Sequence, residues 1–92
     1  MKVVYTDDAL RDLDDILRFI AIHYPAVYGP FEARLRASVR RIGQWPESAQ
    51  AVADRPGVRM VPLVRYPFKI FYRVSGDAVE ILHVNHAARL TP

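Results

Sequence analysis

Residues 66–74, Tyr-Pro-Phe-Lys-Ile-Phe-Tyr-Arg-Val, constrain the fold more than any other part of the chain. Phe68, Ile70, Tyr72 and Val74 share one parity, while Lys69, Arg73 and Ser75 share the other. That period of two belongs to a strand with one buried face. Ser75-Gly76-Asp77 supplies a tight turn, because Gly tolerates positive φ and Asp bonds its own backbone. Val79, Ile81, Leu82 and Val84 then form a return strand that is apolar on both sides, which predicts cover on both faces. With the segment opening at Val58, residues 58–89 read as strand, strand, turn and strand. Arg59, Arg65, Lys69, Arg73 and Arg89, with His83 and His86, lie along this meander and predict a basic platform.

The chain ahead of the meander is helical. Lys2 to Tyr5 is β-prone and fits a strand that joins the later sheet. Thr6 can cap the following helix through its hydroxyl, and Asp7 and Asp8 stand where carboxylates favour the helix dipole. Leu10, Leu13, Leu17, Ile20 and Tyr24 recur at spacings of three and four, with Ile16 widening the stripe. Pro25 ends this helix. Pro30 suits the first turn of a second helix, in which Phe31, Leu35, Ser38, Val39 and Ile42 mark one face and Gly43 reads as the stop; residues 26–29 fit either the loop or a kinked first turn. So short a connection predicts an antiparallel hairpin. Between Gln44 and Gly57 the pattern is irregular, with Trp45 expected to anchor it to the core and residues 48–53 able to form a helical turn. Pro62 and Pro67 inside the sheet region require an edge, a bulge or a bend. The order predicts an α+β domain: an N-terminal strand, an antiparallel helical hairpin, then a three-stranded antiparallel meander.

At 92 residues the chain fits one domain spanning residues 1–92. An apolar content of 51% with 25% charged residues argues against disorder. The absence of cysteine excludes a disulfide framework and fits a reducing cytoplasm. Met1 to Tyr5 is too short and too soon followed by acids for a signal peptide. No apolar run approaches the roughly 20 residues of a membrane span, so no membrane partner is expected. The net charge of +3 is unevenly spread. Residues 7–18 hold five acids against two arginines, residues 31–42 hold Arg34, Arg36, Arg40 and Arg41 against Glu32, and residues 55–92 hold six bases against Asp77 and Glu80. An acidic helix and a basic surface elsewhere suit a polyanion or an acidic protein segment.

Most catalytic designs are excluded. His83 and His86 are three apart, which on a strand sets them on opposite faces, so neither a metal site nor any cofactor is expected. No nucleophile elbow surrounds Ser38, Ser48 or Ser75, and no glycine-rich phosphate loop is present. Metal-free RNA cleavage would need a base for the 2′-hydroxyl, cations for the phosphorane and an acid for the leaving oxygen. His86 with Arg59, Arg65, Lys69, Arg73 and Arg89 are the candidates for that chemistry. The same cations suit binding of protein or nucleic acid without cleavage.

Tyr5-Thr6 before the first helix, Arg59 within Val58-Arg59-Met60, the run from Tyr66 to Val74 with its Gly76-Asp77 turn, and Glu80 to Arg89 together resemble the RelE/ParE family of bacterial toxin–antitoxin toxins. The resemblance covers nearly the whole chain and implies a compact, microbial-RNase-like fold. It also implies a cognate antitoxin, ParD-like, that meets apolar surface on the helical hairpin and the sheet edge: Leu13, Leu17, Ile20, Phe31, Leu35 and Phe71. DNA would be reached only through that antitoxin. One family branch cuts messenger RNA on the ribosome with a basic cluster and a late Tyr or His, which here implies Arg59, Arg73 and His86. The other inhibits DNA gyrase. Ala87, Ala88, Arg89 and Leu90 stand where the ribonuclease branch carries its late tyrosine, and the lysine cluster is missing. The resemblance therefore implies a gyrase inhibitor of the ParE branch, with Arg59, Arg65, Lys69, Arg73, His86 and Arg89 as target contacts.

Overall fold

The computed structural model describes residues 1–87. Its elements follow the order β1 (Lys2–Tyr5), α1 (Asp7–His23), α2 (Pro25–Gln44), β2 (Gln50–Ala51), β3 (Val58–Pro62), β4 (Phe68–Ser75) and β5 (Ala78–His86). The strands form one sheet in the order β1-β5-β4-β3-β2. The antiparallel meander β3-β4-β5 is its centre. β1 adds to β5 in parallel, and β2 adds to β3 antiparallel. The helical turn expected within residues 48–53 is instead this short edge strand, because Gln50 and Ala51 pair with Met60 and Arg59. Among the described residues no helix is long and apolar enough to cross a membrane.

Both helices cover one face of the sheet. Ala9 and Ile20 of α1, Phe31, Leu35 and Ile42 of α2, and Ile70, Tyr72, Val79, Ile81 and Val84 of the sheet form the core. Of the stripe expected on α1, Leu13, Ile16, Leu17 and Ile20 pack on the core, while Ala9 takes the place of Leu10 at its start. Leu10 and Tyr24 consequently face solvent. Only Tyr24 separates the helices; Pro25 ends α1 and occupies the first turn of α2, and Pro30 lies inside α2. Residues 26–29 are thus helical. Gly43 is not the stop, since α2 runs on to Gln44. A Cβ there would come within 3.1 Å of the Met1 carbonyl oxygen, and the N-terminal amine donates to the Gly43 carbonyl at 2.8 Å. Glycine is what lets β1 pass the last turn of α2.

Trp45 stays exposed, against the expectation that it anchors the loop. Polar staples hold that loop: the Tyr72 hydroxyl donates to the Pro46 carbonyl at 2.6 Å, and Arg59 Nη1 donates to the carbonyls of Glu47 and Ala49.

β5 is buried on one face, not two. Its register against β4 shifts between Phe71 and Tyr72, so that Phe71 opposes His83 while Tyr72 opposes Ile81. Leu82 is the extra residue of a β-bulge. Val79 and Ile81 face the core on odd numbers, and after the bulge Val84 faces it on an even one. Phe31 is the largest helical side chain in this core, with its ring edge-on to Tyr66 and Phe68 at 5.2 and 5.6 Å between centroids. We expect Phe31→Ala to cost about 3–5 kcal/mol in urea unfolding, and Trp45→Ala to stay within about 0.5 kcal/mol.

Candidate functional site

The site is assembled where β1 runs out and α1 begins. Thr6 has extended φ and ψ, and its hydroxyl oxygen accepts from the Ala9 N–H at 3.1 Å, the N-cap the sequence implied. The same hydroxyl points its hydrogen at the Ile81 and Leu82 carbonyls, 3.1 and 3.0 Å away. One turn and a half further on, Asp12 Oδ2 accepts the Val84 N–H at 3.0 Å and lies 3.2 Å from His83 Nδ1. Thr6 and Asp12 thus continue along β5 the cover that β1 provides as far as Ile81. Asp12 also fixes the wall of a cleft of about 280 Å³, lined by Asp15, Ile16, Phe19, Phe68, Val84 and His86 among others. Phe19 also joins the cleft to an exposed aromatic cluster, its ring 4.4 Å from His23 and 6.2 Å from Tyr24. Phe19, Ile22 and Tyr24 are each more than half exposed, an apolar surface at the end of α1 that the core leaves uncovered.

The expected basic platform is not one surface. Arg59 pairs with Tyr72, so register points it to the helix-covered side, where its guanidinium serves the loop carbonyls. Arg73 opposes Glu80 on the other side, and their 2.8 Å ion pair matches it. Lys69 opposes Asn85 on that open face. His86 opposes Phe68 on the helix side, with the two rings edge-on at 5.5 Å. Arg65 sits in the β3–β4 turn with φ 76 and faces α2. Arg89 lies outside the described residues. Along the β4 ladder Arg73 and His86 are about 16 Å apart and on opposite faces. Arg59, Arg73 and His86, the three ribonuclease candidates, are therefore not brought together. His83 and His86 fall on opposite faces, as their spacing implied, and among the described residues no cluster of His, Asp and Glu is placed to hold a metal ion.

The apolar residues expected to meet an antitoxin divide as well. Ile20, Phe31 and Leu35 are core residues, because the hairpin's own stripe packs on the sheet. Leu13, Leu17 and Phe71 are half-buried, and the Arg55 guanidinium lies over the Phe71 ring at 5.7 Å. Sequence reasoning missed Phe19, Ile22 and Arg55. Phe19 and Ile22 fall off the apolar stripe of α1, which was the available signal.

Two tyrosines have displaced acidities. Burial pushes the Tyr5 and Tyr72 hydroxyls above the ordinary value near 10, and for Tyr72 the nearby Arg59 charge works the other way.

The family model described as ParE toxin of type II toxin-antitoxin system, parDE, matches residues 3–91. Toxin RelE2 of Caulobacter vibrioides is 32% identical over 90 residues, covering 97% of this chain and 98% of that one. The putative toxin Y4kP of Sinorhizobium fredii is 35% identical over 95 residues, covering 99% and 93%. A chain of the chromosomal ParDE toxin–antitoxin system from P. aeruginosa superposes with a TM-score of 0.80 at 27% identity, covering 94% of this chain and 95% of that one. The YoeB/ParE toxin from Agrobacterium tumefaciens shares the fold, with a TM-score of 0.63 at 17% identity over 94% and 98% of the chains.

A raised folded-state pKa means that the neutral Tyr72 contributes its full stability below the unfolded value near 10, and that this contribution is lost as pH rises through the folded value. Stability measured by urea unfolding should therefore fall above pH 10, and Tyr72→Phe should flatten that fall.

Proposed function

The chain belongs to the ParE toxin family of type II toxin–antitoxin systems, and from that premise we propose that it inhibits DNA gyrase by protein contact rather than by cutting RNA. What carries this reading is the separation of Arg59, Arg73 and His86. Transesterification at a phosphodiester needs acid, base and cation within hydrogen-bond reach of one phosphate. Here Arg59 is engaged by two backbone carbonyls, Arg73 by Glu80, and the ladder sets Arg73 and His86 apart on different faces. Protein contact makes no such demand.

Its partner is a cognate antitoxin. In this reading the antitoxin is ParD-like, carries the contact with DNA, and acts with the toxin in the cytoplasm. It covers the apolar surface that the core leaves over: Phe19, Ile22 and Tyr24, the cleft between α1 and β5, and the half-buried Leu13 and Leu17. Phe71 belongs to the same reading on the open face. Side chains already in the core take no part.

The second reading, ribosome-dependent mRNA cleavage, is favoured by the name RelE2 of the Caulobacter relative and by the exposure of His86. A supercoiling assay with purified protein and gyrase separates the two. Contact inhibition predicts loss of supercoiling with message left intact in a translation extract, and relief when antitoxin is added in equal amount. Message cut at unchanged supercoiling, and abolished by His86→Ala, would replace the proposal with the second reading.

A further inference from the structure

The arginines fall into two populations. Arg11, Arg18, Arg36 and Arg73 each have a carboxylate within ion-pair distance, Arg59 has its carbonyls, and Arg55 has the Phe71 ring. Arg34, Arg40, Arg41 and Arg65 have no ion pair among the described residues, and all four belong to α2 or to the turn that faces it. Between those two elements lies a groove of about 320 Å³, lined by Pro30, Ala33, Arg34, Ala37, Arg65 and Tyr66. Arg34 and Arg41 are seven residues apart, two turns along the same side of the helix, so unmatched guanidinium groups extend about 10 Å along it.

We infer that this groove between α2 and the β3–β4 turn is a docking site for an acidic segment of a partner protein. Its carboxylates would be held by the forks of Arg34 and Arg65, with Arg41 in reserve along the helix. The floor favours a polypeptide over an isolated ion. Pro30, Ala33 and Ala37 carry nothing beyond Cβ or a flat ring, so a backbone can approach α2 closely between the two cations. Tyr66 is fixed at the groove wall by its edge-on contact with Phe31. Positive charge that the fold leaves unpaired on one side is complementary to a segment bearing several acids, and such a contact is steered by charge and weakened by salt. Arg65 adds a separate indication: its φ of 76 is one a side chain adopts at a cost, and glycine would avoid that cost. The inference does not depend on whether gyrase is the target.

The test is an amide chemical-shift titration of the whole isotope-labelled protein with two probes, an octaglutamate peptide and an octauridine oligonucleotide. The expected result is octaglutamate perturbing Arg34, Ala37, Arg65 and Tyr66, with Arg34→Ala/Arg65→Ala weakening it about tenfold and Arg11→Ala/Arg18→Ala leaving it unchanged. Arg65→Gly should weaken the peptide without lowering the unfolding midpoint, which separates binding from folding. Perturbation spread evenly over every arginine, or absent at millimolar peptide, would overturn the inference. So would tighter binding of octauridine at the same residues, which would make the groove a phosphate site.

Discussion

One extra residue in β5 controls where the functional side chains end up. Without the bulge at Leu82, strict alternation after Ile81 would turn Val84 to the open face and His83 to the core. With it, Val84 returns to the core, His83 reaches Asp12 and His86 comes to the helix side beside Phe68. The bulge falls just where β1 ends, so the backbone it leaves without a strand partner is taken up by Thr6, the N-cap of α1, and by Asp12 within the helix. A buried strand edge with unmet N–H and C=O groups is costly, and here two short polar side chains meet that demand. The same two residues locate α1, and through α1 the cleft and its aromatic rim.

A sheet covered on one face by a two-helix hairpin has a definite chemical consequence. The apolar stripes of both helices, including Ile20, Phe31 and Leu35, are used in the core and are not available to a partner. What remains outside is set by geometry: an aromatic corner where the helices meet, an open sheet face on which Arg73 is paired and Phe71 lies under Arg55, and a basic groove along α2. Cations close together in sequence are thereby dispersed. Arg59 is the clearest case, since its guanidinium works with the Tyr72 hydroxyl to hold residues 46–49 against the sheet. Its loss should be read as a change in folding before it is read as a change in activity.

Much of this was legible in the residues. The alternation of Phe68, Ile70 and Tyr72, the Thr6 cap, the helix stop at Pro25 and the Gly76 turn are local patterns, and each is present. The α+β order followed from them, and the resemblance carried by Tyr5-Thr6, Arg59 and residues 66–89 named the family. What sequence could not supply was non-local. The pairing of Gln50 with Met60, the close pass of β1 over Gly43, and the bulge opposite Phe71 and Tyr72 depend on register between segments far apart in the chain. Reading Leu82 as core followed from assuming an unbroken ladder, and reading the cations as one platform left out the β3–β4 register, which sets Arg59 beside Tyr72 on the face opposite Arg73. Trp45 misled for a different reason: a large aromatic in a loop is usually an anchor, but here backbone carbonyls do that work.

The register of β4 against β5 is the most direct point of attack, and inter-strand nuclear Overhauser contacts read it residue by residue. Contacts linking Phe71 with His83 and Tyr72 with Ile81, with Leu82 opposite neither, are the result expected from the bulge. A continuous ladder that sets Phe71 opposite Leu82 and Ile70 opposite His83 would contradict it, and would turn Val84 and His86 to the open face.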